Sequence, residues 1–456
     1  MTRVHPRIYL ISLLLLSIAG SIVGCSTEAE PEQRPDVVLV MIDTLRPDHL
    51  GFYGYEEDTA PFLASLARRS AVFTRAHSTS SWTAPATASV FTGLYPTDHG
   101  VTMGFFSHRG LSARVEAGET VEMSLNRISG SAPTLPECFQ AAGYRTFGLG
   151  SNVNIGSEIG FDRGFDHFER LTHTDHNASP GAEVIRAKLD EWKPELQAGG
   201  PNFVYLHYMD PHRPYSRRSP WFKENERRLG TGLEAAYDSE ISYLDKALEE
   251  LFNDYGWSEN TILMLISDHG EEFKEHGRMG HKESLYAELV RVLAMIHAPE
   301  LGIRTGNIDG NVSLIDVLPT LCSLAGVPVP SDLPGMDLST LLNEDSNTES
   351  FADELDQRPL FAHRGLEPGY ATDAMWAVMQ GKWKLIKTPE GSMLFDTESD
   401  PQDQVDLLAA QPEVADFLGG LLEQFGSSAS WGDGERGSLQ IDAETLEQLK
   451  KLGYAD

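Results

Sequence analysis

Positive charge is scarce in this chain: 36 Lys and Arg stand against 68 Asp and Glu, for a formal net charge of −32. A surface of that sign repels phosphate backbones and anionic lipid, so no nucleic-acid partner is expected. The excess acid serves solubility. An anionic substrate would need a local positive site, either a metal ion or a few basic side chains. Cysteine is nearly absent. Cys25, Cys138 and Cys322 are the three in 456 residues, and no Cys-x-x-Cys occurs, which excludes a zinc ribbon or a dithiol redox motif. Cys138 and Cys322 lie in helix-like stretches far apart in sequence, and their pairing stays open. No internal repeat or long low-complexity segment is present. The content is 41% hydrophobic and 23% charged, which excludes disorder as the main state as well as collagen-like and coiled-coil compositions. At ~100–200 residues per domain the length accommodates two or three domains, or one large α/β domain and a smaller one.

The one long apolar run, Ile8–Val23, is shorter than the ~20 residues a spanning helix needs. It follows Arg3 and Arg7 and fits the core of a signal peptide. Its end, Ile22-Val23-Gly24-Cys25, resembles the lipobox of bacterial lipoproteins, which implies cleavage after Gly24 and lipidation of Cys25. On that reading residues 1–24 are the signal peptide and 25–35 a linker. The mature protein is then a lipid-anchored lipoprotein of the bacterial cell envelope, on its periplasmic or extracellular face. A plain signal peptide or an uncleaved anchor is the competing reading.

Asp36–Ile42 reads D-V-V-L-V-M-I, a continuous β-branched apolar run of the kind found in strands covered on both faces of a parallel sheet. Tyr144–Gly150, Asn202–His207 and Thr261–Ser267 are further short apolar runs. Helix-like stretches lie between them, over Pro61–Ser70, Leu135–Ala142, Glu183–Trp192 and Ala235–Phe252. Alternation of this kind predicts an α/β fold with a parallel sheet, whose ligands bind beyond the carboxyl ends of the strands. Asp43, His207–Asp210 and Asp268–His269 all lie at such ends. From about Glu344 the character changes. Glu344–Gln357 reads as an acidic loop. Leu360–Arg364, Met375–Gln380, Lys384–Lys387 and Ser392–Phe395 read as short strands of an antiparallel sheet. Pro412–Phe425 reads as a helix, and a Gly-, Ser- and acid-rich tail follows from Ser427.

Four segments carry chemistry. In I-D-T-L-R-P-D-H-L-G-F-Y-G-Y, Asp43 ends a buried strand, a costly position unless the carboxylate is paired or binds a metal. It could equally cap a helix, and Arg46 reads as a salt-bridge residue near the first strand. In S-W-T-A-P-A-T-A-S-V-F-T-G the small hydroxyl residues precede an apolar helical stretch. A hydroxyl there meets backbone N–H groups that bind an anion or stabilise an alkoxide, or it serves only as an N-cap. The third segment is L-H-Y-M-D-P-H-R-P-Y. The fourth is S-D-H-G-E-E-F-K-E-H-G, running on to G-H-K; its adjacent Asp268 and His269 can ligate a metal from one loop, and its other histidines could be a solvated loop.

In their order and spacing these segments, with G-F-D-R-G-F-D-H-F at 160–168, L-Y-A-E-L-V-R-V at 285–292 and L-F-D-T-E-S-D-P-Q-D-Q-V-D-L near the C-terminus, resemble the sulfatase family of the alkaline-phosphatase superfamily from Asp36 to about Leu407. The resemblance implies a large mixed, mostly parallel sheet flanked by helices (36–345) and a smaller C-terminal α+β domain with the tail (346–456). It also implies an ester hydrolase with a divalent metal ion. In the family's nucleophile motif, C/S-x-P-S/A-R-x-x-x-x-T-G, Pro85, Ala86, Thr92 and Gly93 match. Thr83 stands at the nucleophile and Thr87 at the Arg. Formylglycine-dependent sulfatases oxidise that Cys or Ser to an aldehyde. Thr cannot follow them, because its carbon carries a methyl group.

The expected reaction is therefore hydrolysis of a sulfuric or phosphoric ester by an unmodified Thr83 held on the metal. The alternative is a phosphatase, phosphodiesterase or phosphoryl-group transferase that passes through phospho-Thr. A non-catalytic binding protein of the same fold is a further alternative. The implied metal ligands are Asp43, Thr83, Asp268 and His269. The family's usual second Asp is Thr44 here, which leans the ion away from Ca²⁺ towards Mn²⁺, Zn²⁺ or Mg²⁺. The resemblance casts His212 and Lys282 as basic groups on the ester oxygens, either of them able to assist the leaving group, and His276 and His281 as walls of the substrate site. Asp210, His212 and His281 could form part of a second metal site. Specificity is expected from Met103–Arg127, His173–Pro180 and the C-terminal domain.

Overall fold

The computed structural model describes residues 34–102, 114–115, 117–171, 181–223, 232–257, 259, 261–281, 284–343, 348–365, 374–428, 436–441 and 443–451. Cys25 and Lys282 therefore lie outside the described residues, as do 103–113 and 173–180 of the expected specificity loops. Arg34–Asp456 form one compact unit.

The strands, in chain order, are β1 Asp36–Ile42, β2 Ala71–His77, β3 Val121–Asn126, β4 Arg145–Gly150, β5 His167–Arg170, β6 Asn202–Tyr208, β7 Thr261–Ser267, β8 Glu272–Phe273, β9 Met279–Gly280, β10 Arg291–Val292, β11 Ala294–His297, β12 Gly306–Ser313, β13 Leu360–Arg364, β14 Met375–Gln380, β15 Trp383–Thr388, β16 Gly391–Asp396 and β17 Arg436–Ile441. Nine of them form the central sheet in the order β10-β2-β11-β7-β1-β6-β4-β5, with β12 on β2. β1 runs parallel to both β6 and β7, and β4 parallel to β6 and β5. Only β10 and β11 run antiparallel to their neighbours.

Side chains of β1 alternate between two cores. Val37, Leu39 and Met41 enter the one that holds the helices Thr83–Thr92, Leu135–Ala141 and Val317–Leu324. Val38, Val40 and Ile42 enter the one that holds Pro61–Ala67, Ala182–Leu196 and Leu233–Tyr255. An apolar run without alternation is what this double burial requires. The register then levels three strand ends. Ile42 lies opposite both Tyr208 and Ser267, and Met41 opposite His207. The residues that follow β1 and β7, Asp43 and Asp268, therefore emerge side by side.

β13–β16 form a separate antiparallel meander. One face packs Leu360, Ala362, Ala377, Ile386 and Phe395 on Leu285, Leu289 and Val290 of the main body. The other packs Phe361, Val378, Leu385 and Leu394 against Leu418 and Leu422 of the helix Pro412–Ser428. Two expectations are corrected. Thr348–Gln357 is a helix where an acidic loop was expected. Tertiary contacts hold it: Leu355 is fully buried, and Asp356 pairs with Arg75 at 2.8 Å. Within the tail, β17 returns to pair antiparallel with β3, from Arg436 opposite Asn126 to Ile441 opposite Val121. A pairing more than 300 residues apart in sequence leaves no local signature.

Candidate active site

Asp43 is wholly buried where β1 ends. Its Oδ2 accepts from Asn152 Nδ2 at 2.9 Å and from Thr83 Oγ1 at 3.3 Å, while Oδ1 has no hydrogen-bond partner. Thr44 turns the chain with a φ of 59°, and its N–H donates to Asp268 Oδ1 at 3.2 Å. The same oxygen accepts from the His269 N–H at 2.8 Å, and Asp268 Oδ2 has no hydrogen-bond partner. His269 Nδ1 lies 2.9 Å from the Gly270 carbonyl, which can only accept, so the ring proton sits on Nδ1. The Nε2 lone pair then faces Thr83 Oγ1 at 3.3 Å, Asp268 Oδ2 at 3.4 Å and Asp43 Oδ1 at 3.6 Å.

Thr83 opens the helix Thr83–Thr92, every residue of which is buried. Its hydroxyl is thereby aimed at the strand ends by a rigid element. Thr87, at the motif's Arg position, turns away and contacts the Met41 sulfur at 3.5 Å.

Burial, reinforced by the Asp268 charge, pushes the Asp43 carboxyl well above its ordinary range. Burial takes Asp268 up to about 7. Two ionised carboxylates facing one another out of water repel, and a cation between them removes that cost. Donor atoms of Asp43, Asp268 and His269 lie within 4.8 Å of one another. With the orphaned Oδ1 and Oδ2 oxygens, they fit a divalent ion. Each ligand is also held from behind, His269 by the Gly270 carbonyl and Asp43 by Asn152, as metal ligands commonly are.

A row of imidazoles leads outward from this cluster. The His281 ring lies 4.5 Å from His269 and 5.0 Å from His212. His281 Nδ1 meets Glu271 Oε1 at 3.1 Å, and His212 Nδ1 donates to the Arg213 carbonyl at 2.7 Å. Burial and the neighbouring His281 hold His212 down to about 3, so it is neutral in the free protein. The structure therefore brings Asp43, Thr83, Asp268, His269, His281 and His212 together.

His276, expected in the substrate wall, is not brought to this cluster. Its Nδ1 meets Glu288 Oε1 at 2.6 Å, its Nε2 meets the Asp403 carbonyl at 2.9 Å, and its ring stacks on Tyr286. Asp210 is also elsewhere. It accepts from the Ala182 N–H at 3.2 Å and lies 3.9 Å from Arg218, so it does not join His212 and His281. Arg46 pairs with Asp48 at 2.7 Å and Glu275 at 2.6 Å, as expected of a salt-bridge residue. Cys138 and Cys322 are not joined by a disulfide, but their thiols hydrogen-bond to each other.

Two residues of the cluster went unassigned in the sequence. Asn152 lies two residues beyond the end of β4, a place where a neutral amide carries no signal of its own. His207, noted at its strand end without a role, is fully buried, with Nε2 3.6 Å from Asp43 Oδ2.

The sulfatase family model matches residues 35–327, and the C-terminal model of N-sulphoglucosamine sulphohydrolase matches 274–427. The ulvan-active sulfatase of Formosa agariphila is 26% identical, over 90% of this chain and 84% of its own. Among solved structures, a 2-O GAG sulfatase superposes with a TM-score of 0.69 at 19% identity, covering 87% of this chain and 93% of its own. The phosphonate monoester hydrolase of Agrobacterium radiobacter gives a TM-score of 0.66 at 17% identity, covering 90% and 100%. With the family model spanning most of the main body and the strand-end cluster built from its motifs, this chain belongs to the sulfatase family, a family of ester hydrolases.

Proposed function

We propose that the chain hydrolyses sulfuric or phosphoric esters with Thr83 as the nucleophile and one divalent cation held by Asp43, Asp268, His269 and the Thr83 hydroxyl. The observation that carries this reading is the Thr83 hydroxyl, 3.3 Å from both Asp43 Oδ2 and His269 Nε2 and beside two carboxylate oxygens that lack hydrogen-bond partners. When bound, the ion acts as a Lewis acid that offsets the carboxylate charge and lowers the pKa of the hydroxyl. The chain's own groups do the rest. The buried helix fixes the Thr83 oxygen at the strand ends. With its hydroxyl proton given up to bulk water, Thr83 Oγ attacks the sulfur or phosphorus, the ester oxygen leaves as the protonated alcohol, and water then hydrolyses the Thr83 ester, which releases sulfate or phosphate and restores the hydroxyl. His212 is neutral in the free protein. The approach of a substrate anion favours its imidazolium form, which then hydrogen-bonds the ester oxygens and can protonate the departing alcohol. Lys282 adds a fixed positive charge in this reading.

A phosphoric ester is the second reading, and one observation favours it. The nucleophile is a plain hydroxyl that no oxidation turns into formylglycine, which makes phospho-Thr the natural covalent intermediate. The likeness in fold to a phosphonate monoester hydrolase supports it. Substrates of the sulfated-glycan type named for the ulvan and GAG sulfatases are candidates for the sulfuric reading.

The deciding experiment is turnover of an aryl sulfate, an aryl phosphate monoester and an aryl phosphodiester with added Mn²⁺, Zn²⁺, Mg²⁺ or Ca²⁺, for the native chain and Thr83→Ala. Loss of turnover in Thr83→Ala is expected, and the ester that the native chain cleaves settles sulfur against phosphorus. Turnover that survives Thr83→Ala overturns the nucleophile. Metal content unchanged by Asp43→Ala overturns the ligand set, and no bound metal and no turnover returns the chain to a binding protein. The lipobox-like run ending at Cys25 supports a lipid-anchored position in the cell envelope. Detergent-phase partitioning that is lost in Cys25→Ser would bear this out.

A further inference from the structure

Asn152 is fully buried, and a backbone donor orients its amide. Its Oδ1 accepts from the Asn154 N–H at 2.9 Å and from Asn154 Nδ2 at 3.3 Å, which fixes the oxygen on that side. The Nδ2 group must then face the strand ends. Its two hydrogens have two acceptors, Asp43 Oδ2 at 2.9 Å and Thr83 Oγ1 at 3.3 Å. Thr83 Oγ1 is thus an acceptor for Asn152, and its own hydrogen has Asp43 Oδ2 and His269 Nε2, both at 3.3 Å, and the Asp268 carboxylate as acceptors. The motif position that could have placed a cation beside the nucleophile is Thr87, which contacts Met41 instead.

Resting on the reading of Thr83 as nucleophile, we infer that Asn152 is a catalytic residue whose side-chain amide donates one hydrogen bond to the Thr83 oxygen as it becomes an alkoxide and the other to Asp43, so that a neutral donor stabilises the nucleophile. A neutral amide suits this place. It strengthens as charge develops on Oγ, and it adds no positive charge to compete for the carboxylates that hold the ion. The Asn154 backbone N–H, seconded by its side-chain amide, determines which end of the Asn152 amide faces Thr83.

The test compares Asn152→Ala and Asn152→Asp with the native full-length protein. It measures kcat and KM on the best aryl ester and, separately, Mn²⁺ affinity by calorimetry on metal-free protein. Loss of one donor to a developing oxyanion lowers rates by on the order of 100-fold. Asn152→Ala is therefore expected to lose about 100-fold in kcat with KM and Mn²⁺ affinity within about threefold. Asn152→Asp is expected to be as slow while binding Mn²⁺ more tightly, because it adds a carboxylate but no donor. Native kcat in Asn152→Ala overturns the inference. So does joint loss of Mn²⁺ binding and kcat in Asn152→Ala, which would mark a merely structural residue. If Thr83→Ala retains turnover, the nucleophile reading fails first. If Thr83→Ala is inactive and Asn152→Ala is not, the inference about Asn152 fails alone.

Discussion

Asp268 spends both good hydrogen bonds on one oxygen, Oδ1, and leaves the other without a partner beside a second buried carboxylate. An arrangement of that kind sacrifices stability for a binding site. Replacing Asp268 by Asn keeps the Oδ1 acceptor and removes one buried charge. The expected outcome is a metal-free protein that melts about 2 °C or more above the native metal-free protein, with the Mn²⁺-induced rise in Tm abolished; scanning calorimetry with and without Mn²⁺ checks both. A Tm that still rises with Mn²⁺ in Asp268→Asn would show the ion bound elsewhere. At this scale Asp43, Asp268 and His269 were legible because a charged residue at the end of an apolar run is conspicuous. Asn152 was not, since a neutral amide after a strand is common in any loop. Only its distances to Asp43 and Thr83 give it a role.

Short elements of the S-D-H-G-E-E-F-K-E-H-G segment tie the site to the rest of the molecule. A Cβ on Gly270 would stand 2.0 Å from the Glu288 carbonyl oxygen, so the turn after His269 requires glycine for that close approach. Six residues on, His276 faces the Glu288 carboxylate, the Asp403 carbonyl, the Gln404 amide and the Tyr286 ring, with Glu272 in the same cluster. Burial is the largest single influence and disfavours its charged form, but the hydrogen bond and charge of Glu288 together with the Asp403 contacts outweigh it, and its pKa is raised above 6.5. The folded state therefore holds its proton to higher pH than the unfolded chain does. The stabilisation is complete below pH 6.5 and is lost as pH rises from there through the raised value. Urea unfolding of the native protein should show stability declining over that window. In His276→Gln the decline should be smaller, and an unchanged decline would assign it to another group. His276 Nδ1 faces the Glu288 carboxylate, and its Nε2 faces both the Asp403 carbonyl and the Gln404 amide nitrogen. The sequence, showing only a histidine near the site motif, could not reveal these partners.

The molecule as a whole carries a net charge of −32, while the site is read as binding an anion. Long-range repulsion then slows encounter, and salt screens it over about 10 Å at 0.1 M ionic strength. Raising NaCl from 10 to 200 mM should increase kcat/KM for a charged aryl ester by a few-fold, measured by initial rates at subsaturating substrate. A decrease would point to a local positive field strong enough to override the net charge. The alternation of strand and helix, the strand-end position of Asp43 and Asp268 and the C-terminal meander are all written locally, in the period and polarity of short runs, and the sequence by itself determined them. The helix at Thr348–Gln357, the return of β17 to β3, the departure of His276 and Asp210 from the site and the convergence of Asn152 on Thr83 depend on which segments meet. Pairing across hundreds of residues is decided by the packing of complete elements, and only the tertiary structure specifies it.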